Sequence, residues 1–581
     1  MSTDHQPIDA AELPPFSRSE FLTDSSISAI GTGGIGGKAA GLVAASRVLR
    51  TAFPEGSYES IAVRIPRLAV IGTDVFGLFI ERNGLTPLAE SDESDERIAL
   101  AFQQADFPVQ FVGDLRALVE TAKTPLAVRS SSLLEDATNE PFAGIYETKM
   151  IPNNQPDPSV RFAKLLEAIK FVYASTWFSG AQGYREMAGR HWSEEKMAVV
   201  VQEVVGRRLT NRYYPTVAGV ARSWNYYPTG RAKPEEGVID LALGLGKTIV
   251  DGETSWTYSP AHPNLNPPVT TSDLLKYSQT RFWAVNLGKP PAFDPVKETE
   301  FLVQCDLADA DLDGTLVKVA STYSPESDRI VMGIGRPGPR VLDFAPIIRM
   351  DDIPLTGLVR TLLTSCEKEL NTEVEIEFAL DIDPLRRDPP TFGFLQVRPI
   401  VVSREQVDLT EAELGGGIVS ATRVMGHGRI DTVQDVIYIR PDVFSKEFNT
   451  RIAAEIASLN TPLAEAGRDY MLVTFGRLGS SDPWLGVPVN WGQISRARVI
   501  VEATTPDFDV ELSQGAHFFH NMTSLGIFYF TVPHSSRYPI DWEWLDRQPV
   551  VAETEHVRHV RPDKPLRVRV DGRKSLGTIE P

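Results

Sequence analysis

Two short stretches near residue 385 constrain the fold more than any others. Residues 374–380 read Val-Glu-Ile-Glu-Phe-Ala-Leu, and residues 392–400 read Phe-Gly-Phe-Leu-Gln-Val-Arg-Pro-Ile. Alternate side chains share one face of a strand, so Glu375 and Glu377 point one way while Ile376 and Phe378 point the other. In the second stretch Gln396 and Arg398 share a face, with Leu395 and Val397 opposite. Joined as a hairpin through residues 381–391, the pair sets an apolar side on a core and a Glu/Gln/Arg side toward a cleft. Two carboxylates and an amide oxygen are hard ligands that suit Mg²⁺ held between phosphates. The same pattern also fits a solvated face with one cross-strand Glu–Arg pair.

Residues 126–150 hold a second constellation. Leu126, Ala127 and Val128 form an apolar run that delivers Arg129 into three serines, an acidic turn, Phe142-Ala143-Gly144 and the pair Glu147-Thr148. Hydroxyls, a close-approach glycine and a guanidinium fork are groups that grip a polyphosphate. An ordinary surface loop capping a helix would use the same residue types. Upstream, glycines at 33, 34, 36 and 37 precede an alanine-rich stretch, 38–49, with apolar residues on a helical period. That places them at a helix N-terminus, where free amides and the positive end of the dipole favour an anion.

Composition narrows the class. The 581 residues leave room for several domains, at ~150 residues each. A formal net charge of −19 argues against nonspecific binding to nucleic acid or to an anionic membrane surface. It leaves ATP open, since local cations can build a phosphate site in an acidic protein. With only Cys305 and Cys366, neither a disulfide framework nor a cysteine-rich zinc site is expected. The start lacks a basic segment followed by an apolar core, and no apolar run approaches ~18–20 residues. A cytoplasmic protein is expected.

Along the chain, residues 1–20 read as a polar, prolyl arm. Residues 97–122, 161–190 and 354–371 read as helices, and 197–205 as a buried strand. Residues 227–300 look irregular, with strand-like runs following at 315–320, 329–334 and 339–344. Residues 566–579 read as a hairpin turning at Asp571-Gly572. Its arginines, Arg567, Arg569 and Arg573, make the C-terminal segment basic.

Five ordered motifs carry a resemblance. Gly36-Gly37-Lys38 with Leu42 comes first, then Ile65-Pro66 with Gly72-Thr73 and Phe76. Val128-Arg129-Ser130-Ser131, Glu135-Asp136, Phe142-Ala143-Gly144 and Glu147-Thr148 follow. Gly244-Leu245-Gly246 with Val250 and Gly252 is fourth. Glu375-Ile376-Glu377-Phe378-Ala379 with Leu395-Gln396-Val397-Arg398-Pro399 closes the series. Together, over residues 25–403, they resemble the nucleotide-binding domain shared by phosphoenolpyruvate synthase, pyruvate phosphate dikinase, rifampicin phosphotransferase and the glucan water dikinases.

The resemblance implies an α+β, ATP-grasp fold closing over ATP, followed by a smaller α/β swivelling domain. The expected divisions are an arm (1–20), N-terminal lobes (21–205), a C-terminal lobe (206–403), a diverged swivelling domain (404–545) and a basic hairpin tail (546–581). It implies that Lys38 and Arg129 contact the phosphates, with Gly144 and Thr148 in the same loop. Gln202 and Glu203 would lie near adenine and ribose. Glu377 and Gln396 would hold Mg²⁺, and Arg398 would face the transferring phosphoryl group.

Two positions depart from the family pattern. Where relatives have glutamate after Gly-Leu-Gly, this chain has Lys247, which could replace an electrostatic partner, alter the chemistry or sit exposed in a loop. The histidine motif of the swivelling domain is matched only loosely by Ser513-Gln514-Gly515-Ala516-His517-Phe518-Phe519-His520, with Gly526-Ile527 nine residues beyond His517. His517 is the candidate phosphoacceptor, because neutral imidazole is nucleophilic near pH 7. His517 and His520, three apart, could equally be packing residues or a weak metal pair. Arg477, Asp482, Trp484 and Trp491 form a candidate pocket or a tryptophan-anchored loop.

The expected function is dikinase-type phosphotransfer from Mg·ATP, relayed through a histidine to a small-molecule or protein acceptor. The alternatives are an ATP-binding regulator without transfer, or direct kinase- or ligase-like transfer. Dikinase relatives continue into a pyruvate-binding (β/α)₈ barrel for which residues 404–581 leave no room. The acceptor is therefore expected to bind in 404–581, between domains or on another protein.

Overall fold

The computed structural model describes residues 8–23, 27–53, 60–91, 93–133, 144–187, 191–226, 228, 230–264, 270–350, 353–385, 387–400, 407–480, 482–510, 522 and 526–581. The chain divides into two compact units, residues 1–178 with 193–400, and residues 179–192 with 401–581. Both mix helices with sheets of parallel and antiparallel strands, an α+β architecture. Among the described residues no helix is long and apolar enough to cross a membrane.

The first unit is built on two principal sheets. The five-stranded one runs Ile27–Ile30, Leu68–Ile71, Met197–Glu203, Leu126–Ser132, Thr148–Ile151. Its middle strand, Met197–Glu203, is buried along its whole length, which explains its unbroken apolar start. The six-stranded sheet runs Trp256–Tyr258, Val238–Ala242, Val217–Arg222, Val374–Asp381, Thr391–Pro399, Ala62–Arg64.

The hairpin read from the sequence is present, with Glu375 opposite Arg398 and Glu377 opposite Gln396. The register then slips: Phe378 faces Phe394, leaving Leu395 as an extra residue in a β-bulge. The apolar face carries Ile376, Phe378, Leu380, Phe392, Phe394 and Val397 into the core. There they meet Leu355, Leu358, Val359 and Leu362 of the helix Leu355–Leu370, whose spacing follows the helical period.

The helix Gly36–Ala52 ties the two sheets together. Ala39, Leu42 and Ala45 are fully buried on its inner face. Gly41 allows the close approach, since a Cβ there would lie 2.3 Å from the Val397 carbonyl oxygen. The glycine-rich turn is thereby set beside the hairpin.

Several local expectations are revised. Residues 8–23 are not a loose arm: Asp9 caps a short 3₁₀ turn, and Ala10 and Phe21 are buried. The expected helix 97–122 is two helices, Asp95–Gln104 and Val112–Thr121, because Pro108 interrupts the pattern. The helix expected over 161–190 is likewise two, Pro158–Ser175 and Ser179–Met187. Residues 227–300 contain the strands Val238–Ala242, Trp256–Tyr258 and Arg281–Asn286, and Thr315–Lys318 is a 3₁₀ turn rather than a strand.

The second unit has a seven-stranded sheet whose centre is four parallel strands, Asp435–Ile439, Tyr470–Phe475, Ala497–Ala503 and Phe528–Val532. Residues 546–581 are not a separate tail. Val550–Glu553 and Val557–Val560 extend that sheet, and the hairpin Arg567–Asp571 with Leu576–Glu580 joins a four-stranded sheet. His559 lies 2.8 Å from the buried Asp435 carboxylate, which Arg468 and Arg561 also hold. His556 pairs with Glu455 at 2.9 Å.

Candidate functional site

On the strand Leu126–Ser132 every residue but Arg129 is buried. The serines after it are latches within the protein. Ser131 Oγ donates to the Ile35 carbonyl at 2.7 Å and accepts the Ala39 amide at 3.0 Å, so it caps the Gly36–Ala52 helix from another strand. Gly36 makes this possible: its φ is +73°, and a Cβ would stand 1.8 Å from the Ser131 carbonyl oxygen. Lys38 Nζ donates to the Ser130 carbonyl at 2.9 Å, beside Arg129 in the chain. Ser132 and Tyr146 both donate to Glu195. Of the serine hydroxyls that the sequence suggested for phosphate, that of Ser130 accepts from Lys38 at 3.4 Å and that of Ser131 holds the glycine turn.

Arg129 joins the two sheets. Its Nη2 donates to Glu377 Oε2 at 2.9 Å and to Gln396 Oε1 at 2.8 Å. Its Nη1 donates to the Leu395 carbonyl at 3.1 Å. The bulge at Leu395 breaks the regular pairing at the point where that carbonyl meets the guanidinium. Sequence periodicity could not reveal it, because an inserted residue leaves each local alternation intact.

Thr148 stands opposite Arg129 in the strand register, and Gly144, with φ of +67°, lies just before it. Gln202 is two residues from Val200, the partner of Arg129, so Gln202 and Arg129 share a sheet face. Gln202 is 2% exposed, and its amide nitrogen is buried without a hydrogen-bond partner. Glu203 points to the other face, where Arg67 grips it bidentately at 2.7 and 2.9 Å. Arg398 does not stand in the open. Its guanidinium is 2% exposed and bonds Glu375, whose other oxygen takes Arg222 at 2.6 Å. Glu375 and Asp240 hold the Arg222 guanidinium in its charged form against the effect of burial.

Lys247 is not a solvated loop residue either. It opens a short helix and pairs with Glu298 at 2.7 Å and Asp251 at 3.1 Å. Nearby, Glu147 is pushed up to about 8 by burial and then by the Glu298 carboxylate, with Lys247 opposing. Lys149 was missed by sequence reasoning. It is buried, pairs with Glu300 at 2.6 Å and sits over the Phe171 ring. A lone lysine after Glu-Thr carries no signal of a partner so distant in sequence.

Glu377 Oε2 and Gln396 Oε1 converge on Arg129 Nη2, and two hard oxygens of this kind suit Mg²⁺ when phosphate oxygens complete its shell. Among the described residues no group of three or more His, Cys, Asp or Glu could hold a metal ion unaided. His517 and His520 lie outside the described residues. In the second unit, Trp484 is 58% exposed with Lys446 over its ring, and the Asp482 carboxylate accepts the Trp484 amide. Trp491 instead packs edge-on to Tyr184. Arg477 lies in the loop after the strand Tyr470–Phe475, where the Leu485 carbonyl takes its amide.

Residues 33–414 match the pyruvate phosphate dikinase family, AMP/ATP-binding domain. The chain belongs to that family. A 242-residue stretch is also 25% identical to the phosphoenolpyruvate synthase of Aeropyrum pernix, covering 38% of this chain and 26% of that protein. The chain thus spans about a quarter of the length of the curated relative it matches. The AMP/ATP-binding match includes every residue that Arg129 touches.

Proposed function

We propose that this member of the AMP/ATP-binding family is an ATP-dependent phosphotransferase of the dikinase type. The observation that carries the reading is Arg129, whose guanidinium meets Glu377 and Gln396 from the opposite sheet. A fork that already matches oxygen acceptors can bind phosphate oxygens, and Lys38 adds a second cation beside it. Gln202, with a buried unpartnered amide nitrogen on the same sheet face, suits a purine acceptor.

Glu377 and Gln396 would hold Mg²⁺, which when bound neutralises charge on the phosphates. Arg129 and Lys38 fix the phosphate chain and exclude water from its charged oxygens. Arg398, gripped by Glu375, braces the hairpin that presents Glu377 and Gln396. The second unit serves as the swivelling carrier. His517 attacks the β-phosphorus, an N–P bond forming as the α–β phosphoanhydride breaks and AMP leaves, and the γ-phosphoryl group of the resulting histidine-bound diphosphate is then lost to water or inorganic phosphate. The N–P bond then breaks as phosphate passes to a small-molecule or protein acceptor.

Incubation with Mg·ATP tests this, following AMP, ADP and acid-labile protein phosphate in the full chain and in His517→Ala. AMP with acid-labile label, lost in the variant, supports the relay. ADP without label supports direct transfer. Bound ATP without either product supports a regulator.

A further inference from the structure

The ladder between the strands Leu126–Ser132 and Thr148–Ile151 begins with Leu126 opposite Ile151 and ends with Arg129 opposite Thr148. Past Arg129, the residues Ser130, Ser131 and Ser132 stay paired with Met197–Glu203 on their other side. The chain just before Thr148, residues 144–147, is not strand. Arg129 and Thr148 are therefore the last pair of their ladder, where strands open most readily.

Glu195 closes that end. It lies two residues before the strand Met197–Glu203, and each of its side-chain oxygens takes one hydroxyl. Ser132 Oγ donates to Oε1, and Tyr146 Oη donates to Oε2. Ser132 is three residues past Arg129, and Tyr146 is two residues before Thr148. The next carbonyl, that of Lys196, accepts the Leu133 amide at 3.2 Å and keeps this segment alongside the strand end. Ser132, Tyr146 and Glu195 are all buried, away from the water that would weaken such contacts. A second tie reaches the same approach from the helix Pro158–Ser175, where Ser175 Oγ accepts the Glu147 amide at 3.2 Å. That tie holds the Thr148 side alone, whereas Glu195 touches both strands.

We propose that Glu195 is a positioning residue for the phosphate end of the nucleotide. Acting through Ser132 and Tyr146, it keeps Thr148 in register with Arg129, so that hydroxyl and guanidinium meet phosphate oxygens together. The inference rests on the phosphotransferase reading above. A pair already in place loses little freedom when phosphate arrives, while a frayed pair must be ordered by the ligand and binds it more weakly. The weakening falls on contacts to phosphate and spares those to base and ribose.

Titration of Mg·ATP into the full chain tests this, with adenosine followed in parallel by saturation-transfer NMR. The proteins are the wild type, Tyr146→Phe, Glu195→Gln and the double variant. Tyr146→Phe keeps the ring and removes the hydroxyl, and Glu195→Gln keeps the shape but turns one acceptor into a donor. Each should weaken Mg·ATP about tenfold, the scale of one buried hydrogen bond, and leave adenosine within about twofold of the wild type. The double variant should be little worse than Glu195→Gln, because both changes act on one clamp. Equal losses for Mg·ATP and adenosine would make Glu195 a general support and overturn the proposal. Unchanged Mg·ATP affinity in Tyr146→Phe, or losses that add in the double variant, would overturn it as well. A wild type that binds no Mg·ATP would sink the phosphotransferase reading and this inference with it, a result separate from any difference among the variants.

Discussion

Arg129 and Glu377 lie 248 residues apart in the chain, and their guanidinium and carboxylate meet at 2.9 Å. One residue from a five-stranded sheet is thereby joined to one from a six-stranded sheet, both mostly buried. The contact depends on three prior arrangements: a bulge at Leu395, a glycine turn latched by Ser131, and a hairpin braced by Glu375. Each can be disturbed on its own.

Gly36→Ala should unlatch the glycine turn. A side chain there meets both a left-handed φ and the Ser131 carbonyl, so a loss of at least about 2 kcal/mol is expected. Urea denaturation should show it, and Mg·ATP affinity should fall even where the protein remains folded. Unchanged stability would contradict the capping role assigned to Ser131.

The Lys149–Glu300 pair makes a different demand. Both side chains are almost wholly buried, so Lys149→Ala alone leaves an uncompensated carboxylate and should cost about 3–5 kcal/mol. Replacing both, as Lys149→Met with Glu300→Leu, should recover most of that loss. A single-variant cost below about 1 kcal/mol would mean that the pair is a solvated one.

Glu147 sets a pH dependence. Its ordinary value of 4.5 is raised to about 8, by burial first and then by Glu298, Asp95 and Asp251, with Lys247 opposing. The folded state therefore favours the protonated form. The contribution is fully present below pH 4.5 and is lost as pH rises through about 8. Glu147→Gln should flatten the stability profile across that window, read as thermal midpoints in matched buffers. Identical profiles for the two proteins would remove Glu147 from the account.

Much of this was legible in the sequence because period-2 alternation survives in the hairpin. The split of Glu375 and Glu377 from Ile376 and Phe378 follows from strand geometry alone. The bulge was not legible, since one extra residue changes pairing without changing either strand's pattern. The partners of Glu203, Lys149 and Lys247 were not legible for another reason. Arg67, Glu300 and Glu298 meet them only because the folded sheets bring distant charges near, and no local spacing encodes that. The break at Pro108 stands in the sequence, though the reading of one helix over 97–122 runs across it. The C-terminal hairpin was read correctly at Asp571, whereas its incorporation into a larger sheet depends on residues 428–430.

The central claim is that Arg129 and Glu377 act on the same triphosphate. Equilibrium titration of Mg·ATP into the wild type, Arg129→Ala, Glu377→Gln and the double variant tests it directly. The account predicts a loss of about a hundredfold or more for Arg129→Ala, a smaller loss for Glu377→Gln, and a double variant little worse than Arg129→Ala. Wild-type affinity in Arg129→Ala would contradict it.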